Sequence, residues 1–274
     1  MLAKTYRQGK IHYPCYVQPK INGLRASYDP STKRFASREQ HLWTPCVVDH
    51  LVSNLPPRVN VRLDGEFYRH GMLLQDINSA IGVNRKKPTE TTKEIQFHVF
   101  DVVADAGQEL RLRALNHLIA GGNAEIVPVP SHYVTCDEEA DALFDMYVGM
   151  GWEGIMYRDK NAPYGFAERC TNKDNRWNYL QKRKRFEDED GVIVGFKEGK
   201  GKNIGKLGSF EVLMPNGEVF NCGGGLTDAQ RELYWKEQKF LKGVGIKVRL
   251  EEWSADGKPL RGRILLVDRY ELST

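Results

Sequence analysis

Lys20 sits in YVQPKINGLRASYD, residues 16–29, between Pro19 and Gly23, with Arg25 five positions on. An amine held in such a bend could attack an electrophile, and it could equally be a surface lysine on a turn. The K-x-x-G-x-R spacing alone leaves both readings open. A free lysine, with pKa near about 10.4, needs cationic neighbours or a metal before it becomes a nucleophile near neutrality. Arg25, Lys182 and Lys184 are the candidate neighbours. In LQKRKRF, strand alternation puts Lys182 and Lys184 on one face and Arg183 and Arg185 on the other. Neither face is apolar, so both need anionic partners or water. Two carboxylates complete the set. Glu66, in RLDGEFY, shares a strand face with Asp64, opposite Leu63 and Phe67, and Glu153 opens the otherwise apolar strand WEGIMYR. Each could be an ordinary edge-strand carboxylate.

The elements that must hold these residues alternate between strand-like and helix-like. YVQPKINGLRASYD and RFASRE read as two strands joined by a DPSTK turn. VVDHLVSNL reads as a helix stopped before Pro56-Pro57, VRLDGEFY as a strand and LLQDINSAIG as a short helix. IQFHVFDVV alternates like a half-buried strand, two helices (ELRLRALNHLIAGG and DEEADALFDMYVGMG) follow, and WEGIMYRD and NYLQKRKRF are strands. This mixture predicts an α+β domain over residues 1–186. After the acidic run EDED (187–190) the pattern becomes short strands and turns, interrupted by one helix, DAQRELYWKEQKFL. Five strands and a helix in that length predict a small OB-type barrel over residues 187–274.

Composition sets broad limits. Of 274 residues, 41% are hydrophobic and 28% charged, as in a globular protein, and no apolar run is long enough to span a membrane. The N-terminal residues lack the apolar stretch of a secretory signal. The five cysteines are far apart with no C-x-x-C, which suggests neither a zinc knuckle nor a disulfide framework and fits a reducing cytoplasm. Net charge is +4, and eight Lys or Arg fall between Gln181 and Lys206. Such basic stretches are compatible with nucleic acid, and equally with a solvated strand and loop.

Taken together and in order, these motifs resemble the covalent nucleotidyltransferases: ATP-dependent DNA ligases, RNA ligases and mRNA capping enzymes. KINGLR looks like the family's nucleotidyl-lysine motif and SRE (37–39) like the arginine-bearing motif after it. LDGEF, HVFDVV, EGIMYR and QKRK follow at family-like spacings. GMLLQDINSAIG, and later GSFEV, GEVFNCGGGLTDAQRELYW and RGRILLVDR, are more similar to small viral and bacterial ATP-dependent DNA ligases.

That resemblance implies a nucleotidyltransferase (adenylation) domain of antiparallel sheets and flanking helices, followed by the OB domain. It implies ATP and Mg²⁺ (or Mn²⁺) as cofactors, with AMP carried covalently on Lys20. Nicked duplex DNA with 5′-phosphate and 3′-hydroxyl ends would be the substrate of a cytoplasmic monomer. Residue by residue, Glu66 would hold ribose or metal, Glu153 a metal, and Phe100 would stack on adenine, the alternative for Phe100 being a core position. Lys182 and Lys184 would stabilise charge on the α-phosphate and Arg25 would act near the ribose or the 3′ end. Arg38 would grip the 5′-phosphate, with Arg169, whose alignment needs an inserted residue, a further phosphate contact. Arg261 and Arg269 share parity with Arg263, so an unbroken strand would put them on one face to meet departing pyrophosphate. Arg263 stands where relatives often carry proline. Only nineteen residues precede Lys20, where NAD-dependent relatives carry a further domain, so ATP is the expected donor. KEGKGKNIGKL replaces the long insertion with which some minimal viral ligases close around DNA, so no latch is expected and Lys200, Lys202 and Lys206 would hold DNA. EDED is read as a flexible hinge. An RNA ligase, a GTP-dependent capping-type enzyme, and a non-catalytic OB-fold nucleic-acid-binding protein remain the alternatives. The residues specify neither the pathway (replication, repair or recombination) nor tolerance for mismatched or RNA-containing nicks.

Overall fold

The computed structural model describes residues 3–165, 179–253, 257–260 and 262–268. The chain divides into two compact units, residues 1–184 and 185–274.

The strands of the first unit are β1 (Lys4–Thr5), β2 (Cys15–Lys20), β3 (Leu24–Asp29), β4 (Arg34–Ser37), β5 (Leu63–Tyr68), β6 (Gln96–Val102), β7 (Ile126–Pro128), β8 (His132–Val134), β9 (Gly154–Asp159) and β10 (Leu180–Lys184). Its helices are α1 (Pro45–Ser53), α2 (Leu74–Ile81), α3 (Gln108–Leu118) and α4 (Asp137–Gly149). The strands form two five-stranded sheets, β1-β10-β9-β2-β8 and β4-β3-β5-β6-β7, antiparallel except for the β1–β10 and β6–β7 pairs. Periodicity decides what each element buries. α1 opens with Pro45, tolerated where no helical partner is needed, and buries Val47, Val48 and Leu51 on one face. With Phe35, Leu63, Phe67 and Phe97 these build the larger core, under the second sheet. Cys15, Val17, Ala140, Tyr147 and Ile155 build a smaller one between the first sheet and α4.

The stretch 16–29 is not one strand. The chain leaves the first sheet at Lys20 and enters the second at Leu24. Two residues explain the break. Pro19 cannot donate to a ladder, and it lies past Val17, where β8 stops pairing with β2. Gly23 packs so close to β5 that a Cβ there would collide with the Phe67 carbonyl oxygen. Lys20 is therefore the last residue of β2, at the gap between the sheets.

The second unit contains β11 (Glu187–Glu198), β12 (Leu207–Leu213), β13 (Val219–Cys222), α5 (Asp228–Lys236), α6 (Gln238–Leu241), β14 (Gly245–Leu250), β15 (Glu252–Trp253), β16 (Pro259–Leu260) and β17 (Arg263–Val267). Its main sheet runs β13-β12-β11-β14-β17 over a core that includes Phe210, Val212, Ile246, Val248 and Leu250. Among the described residues the ladder does not close into a barrel; one bridge, Gly224 to Arg263, links its two edge strands. The single expected helix is two, because Glu237 (φ −98°, ψ 18°) leaves the helical basin. A capping box between Thr227 and Gln230 fixes where α5 starts.

Two further expectations are corrected here. EDED is the first third of β11, not a loose hinge. Its residues pair with β14, and Asp188 holds Arg249 through bonds of 2.6 and 2.7 Å, a cross-strand charge pair that favours strand. The last strand is not unbroken either. A bulge between its pairings to Lys247 and Val248 breaks alternation after Ile264, so the parity of Arg263 does not carry on along the chain. Arg261 and Arg269 lie outside the described residues.

Candidate nucleotide-transfer site

Strand register builds the site. Lys20 of β2 pairs with Gly154 of β9, which pairs with Lys184 of β10; two residues along, Gln18, Met156 and Lys182 repeat the row. Lys20 thus lies within two ladder rungs of Lys182 and Lys184, although more than 160 positions separate it from them in sequence. Across the gap, Arg25 of β3 pairs with Glu66 of β5, and Glu66 with His98 of β6.

Glu153 joins the lysines. One carboxylate oxygen accepts from Lys20 Nζ and the other from Lys184 Nζ at 2.5 Å. Its backbone N–H donates to the Lys20 carbonyl at 3.3 Å. Gly154, with φ +148°, is forced to be glycine, because a Cβ would meet the Arg183 carbonyl oxygen of β10. The close β9–β10 approach that this allows lets Glu153 reach both lysines.

Gln18, Lys20, Arg25, Arg38, Asp64, Glu66, Phe100, Met156, Arg158 and Lys182 line a cavity of about 540 Å³, which suits a nucleotide-sized ligand. The guanidinium carbons of Arg25 and Arg158 each lie 5.0 Å from the Phe100 ring centroid. Phe100 is therefore a half-buried residue of the cavity wall, packed against the core rather than within it.

Charge is unevenly balanced around the cavity. Asp64 accepts from Arg25 Nε at 2.5 Å and from Tyr164 Oη at 2.6 Å. Burial alone would raise its pKa, but Arg25 and these hydrogen bonds outweigh it and hold Asp64 below its ordinary value. Glu66 has no such ion pair among the described residues. Burial pushes its carboxyl up to about 7, only partly opposed by the charges of Lys20 and Arg25, with Glu153 adding to the rise. Burial, then Glu66 and Glu153, push the Tyr68 phenol up to about 12. A divalent cation would supply the positive charge that Glu66 lacks, and Glu66 and Glu153 are the side chains that would hold it. No cluster of three or more His, Cys, Asp or Glu capable of holding a metal occurs among the described residues, so phosphate oxygens and water would supply the other ligands.

Several members of this site carry no motif of their own. Asp101 is fully buried and accepts from Arg111 Nε at 2.8 Å and from Arg158 at 3.0 Å. Arg158 also donates to Gln18, whose amide donates to the Phe100 carbonyl at 3.1 Å and to Ser131 Oγ at 2.8 Å. This network ties the strands bearing Lys20 and Phe100 together from behind. The one signal for it was Arg158 directly after the uncharged run GIMY. Of the remaining expected contacts, Arg38 is exposed where it lines the cavity, and Lys200 and Lys202 are exposed in the 199–206 connection, which holds one short 3₁₀ turn, Gly201–Asn203. Lys206 is ion-paired to Glu232 at 2.5 Å, so its charge is partly taken up within the unit. Arg169 lies outside the described residues.

Residues 1–174 match the family model of the ATP-dependent DNA ligase domain, and residues 198–264 that of the DNA ligase OB-like domain. The chain belongs to the ATP-dependent DNA ligase family. Among curated relatives, a Methanopyrus kandleri DNA ligase is 28% identical over 179 residues, covering 59% of this chain and 31% of that ligase. An Archaeoglobus fulgidus DNA ligase is 26% identical over 211 residues, covering 72% of this chain and 37% of the relative. The matched stretch thus spans about a third of the length of these archaeal ligases. Among solved structures, a Lig E DNA ligase superposes over 98% of both chains with TM-score 0.79 at 23% identity. The Chlorella virus DNA ligase-adenylate does so over 98% of both with TM-score 0.55 at 22% identity. At such identities these ligases share the fold.

Proposed function

We propose that this protein seals nicks in duplex DNA, using ATP and a covalent lysyl-AMP intermediate. The observation that carries the reading is Lys20, paired with a Glu153 carboxylate that also binds Lys184, lining a cavity with Phe100, Arg25 and Lys182.

In the first step the Lys20 amine forms a P–N bond to the ATP α-phosphorus and the bond to pyrophosphate breaks. The Lys20 ammonium must first release a proton, and the Glu153 oxygen hydrogen-bonded to Nζ is its nearest acceptor. Lys182 and Lys184 face the same row and would stabilise charge developing on the phosphate. Phe100 offers a ring for adenine, and Arg25, fixed by Asp64, points its guanidinium at that ring. Mg²⁺, when bound at Glu66 and Glu153, would neutralise phosphate charge. In the second step a 5′-phosphate oxygen takes AMP from Lys20, breaking the P–N bond. In the third, the 3′-hydroxyl attacks that phosphate, the phosphodiester forms and AMP leaves. Arg38, exposed beside the cavity, would position the 5′-phosphate.

The protein would act as a cytoplasmic monomer; among the described residues no helix is long and apolar enough to cross a membrane. A gel assay of nick sealing tests the reading. We expect a labelled 5′-phosphate/3′-hydroxyl DNA nick to be joined with ATP and Mg²⁺, and neither with GTP nor without the metal. Joining of an RNA nick in preference to DNA, or equal use of GTP, would overturn it.

A further inference from the structure

Glu153 reaches Lys20 and Lys184 from a turn, not from a strand, and that turn is clamped. Trp152, next to Glu153, packs on both cores of the first unit. Its indole lies 4.8 Å from the His70 ring and 5.5 Å from the Tyr68 ring, centroid to centroid, and is met edge-on by Tyr147 at 6.3 Å. His70 closes the clamp. Its Nε2 is 3.0 Å from the Met150 carbonyl and its Nδ1 3.1 Å from Tyr68 Oη. A neutral imidazole satisfies both, with Nε2–H donating to the carbonyl and Nδ1 accepting from the phenol. Tyr68 lies two residues after Glu66 on β5, on the same strand face. The clamp therefore joins the strand carrying one carboxylate to the turn carrying the other.

We infer that His70 is a positioning residue, which through Tyr68 and Trp152 sets the place of Glu153 relative to Lys20 and Glu66. It touches no reacting atom in this account. Misplacing a catalytic group by about 1 Å can cost on the order of 10²-fold in rate, so a clamp outside the cavity can matter to the chemistry. The inference rests on the ligase reading for its kinetic consequence and on geometry alone for its structural one.

The test compares wild type with His70→Ala, His70→Gln and Tyr68→Phe. Hydrogen exchange of peptides covering residues 150–154, without nucleotide or metal, reads the clamp directly. We expect exchange there to speed up in His70→Ala by about tenfold, to return towards wild type in His70→Gln, which can still donate to the Met150 carbonyl, and to rise less in Tyr68→Phe. Single-turnover formation of the AMP adduct should slow by about tenfold in His70→Ala, and the Mg²⁺ concentration for half-maximal rate should rise. Simple loss of folded protein would lower amplitude without moving that Mg²⁺ requirement. Wild-type exchange at 150–154 in both His70→Ala and Tyr68→Phe, or a wild-type rate and Mg²⁺ requirement in His70→Ala, would overturn the inference. A wild-type protein that takes up no AMP would instead sink the ligase reading, and the exchange result would still decide the clamp.

Discussion

Glu66 and Glu153 are two carboxylates a short reach apart with opposite surroundings. Glu153 is held by two ammonium groups, whereas Glu66 is half-buried with too little positive charge near it. A carboxyl whose folded pKa lies above its unfolded value binds protons more tightly when folded. Its stabilising contribution is therefore present at low pH and is lost as pH rises from the unfolded value, near 4.5, through about 7. In metal-free buffer, Glu66→Gln should remove that loss. We expect the variant to gain about 1–2 kcal/mol over wild type at pH 8 relative to pH 5, read as the difference in melting temperature at the two pH values. A variant whose advantage does not grow with pH would show that Glu66 is not short of positive charge. At this scale much was legible in advance: Lys20, Arg25, Glu66, Glu153, Lys182 and Lys184 all fall in one neighbourhood. Asp101, Arg158 and Gln18 were not legible as partners. Their pairing spans long sequence separations, and strand periodicity assigns a face without naming the side chain that meets it.

The elements act through where they begin and end. β2 ends at Lys20 and β9 begins at Gly154, and the two meet in register opposite Lys184. Gly154→Ala should be costly for two reasons at once, positive φ and a Cβ placed on the Arg183 carbonyl. We expect a loss of at least about 3 kcal/mol in urea denaturation, or insoluble protein, and a soluble variant within about 0.5 kcal/mol of wild type would contradict this. Element types were legible from hydrophobic periodicity for α1, β5, β6, α4 and β9. Which sheet each strand joins was not, because a residue pattern fixes the buried face and says nothing of the neighbouring strand. This is why 16–29 reads as a single strand although it crosses between sheets. The acidic run 187–190 misleads in a related way: it reads as a flexible segment until Arg249 and Lys247 of β14 are set opposite its exposed carboxylates.

For the whole molecule, the candidate chemistry falls in residues 1–184, while the second unit offers exposed lysines on a short loop. If Lys200 and Lys202 contact the DNA backbone, their removal should weaken nick binding across sequences without touching lysyl-AMP formation. Each lysine lost should reduce the slope of log affinity against log salt by about one. Unchanged salt dependence in Lys200→Ala/Lys202→Ala would move the DNA contact elsewhere. The change in strand and turn density suggested a division at 186/187, whereas the two compact units divide at 184/185, ahead of the acidic run. The open sheet in place of a closed barrel was not legible, since closure depends on which edge strands meet, and among the described residues they do so only at Gly224 and Arg263.

The central claim is that Lys20 carries AMP, and intact mass spectrometry tests it most directly. Protein first shown to be free of adduct is incubated with Mg²⁺ and either ATP or GTP, as wild type and as Lys20→Ala. We expect a gain of one AMP with ATP only, absent from the Lys20→Ala protein. No gain with either nucleotide, or a gain that survives in Lys20→Ala, would contradict it.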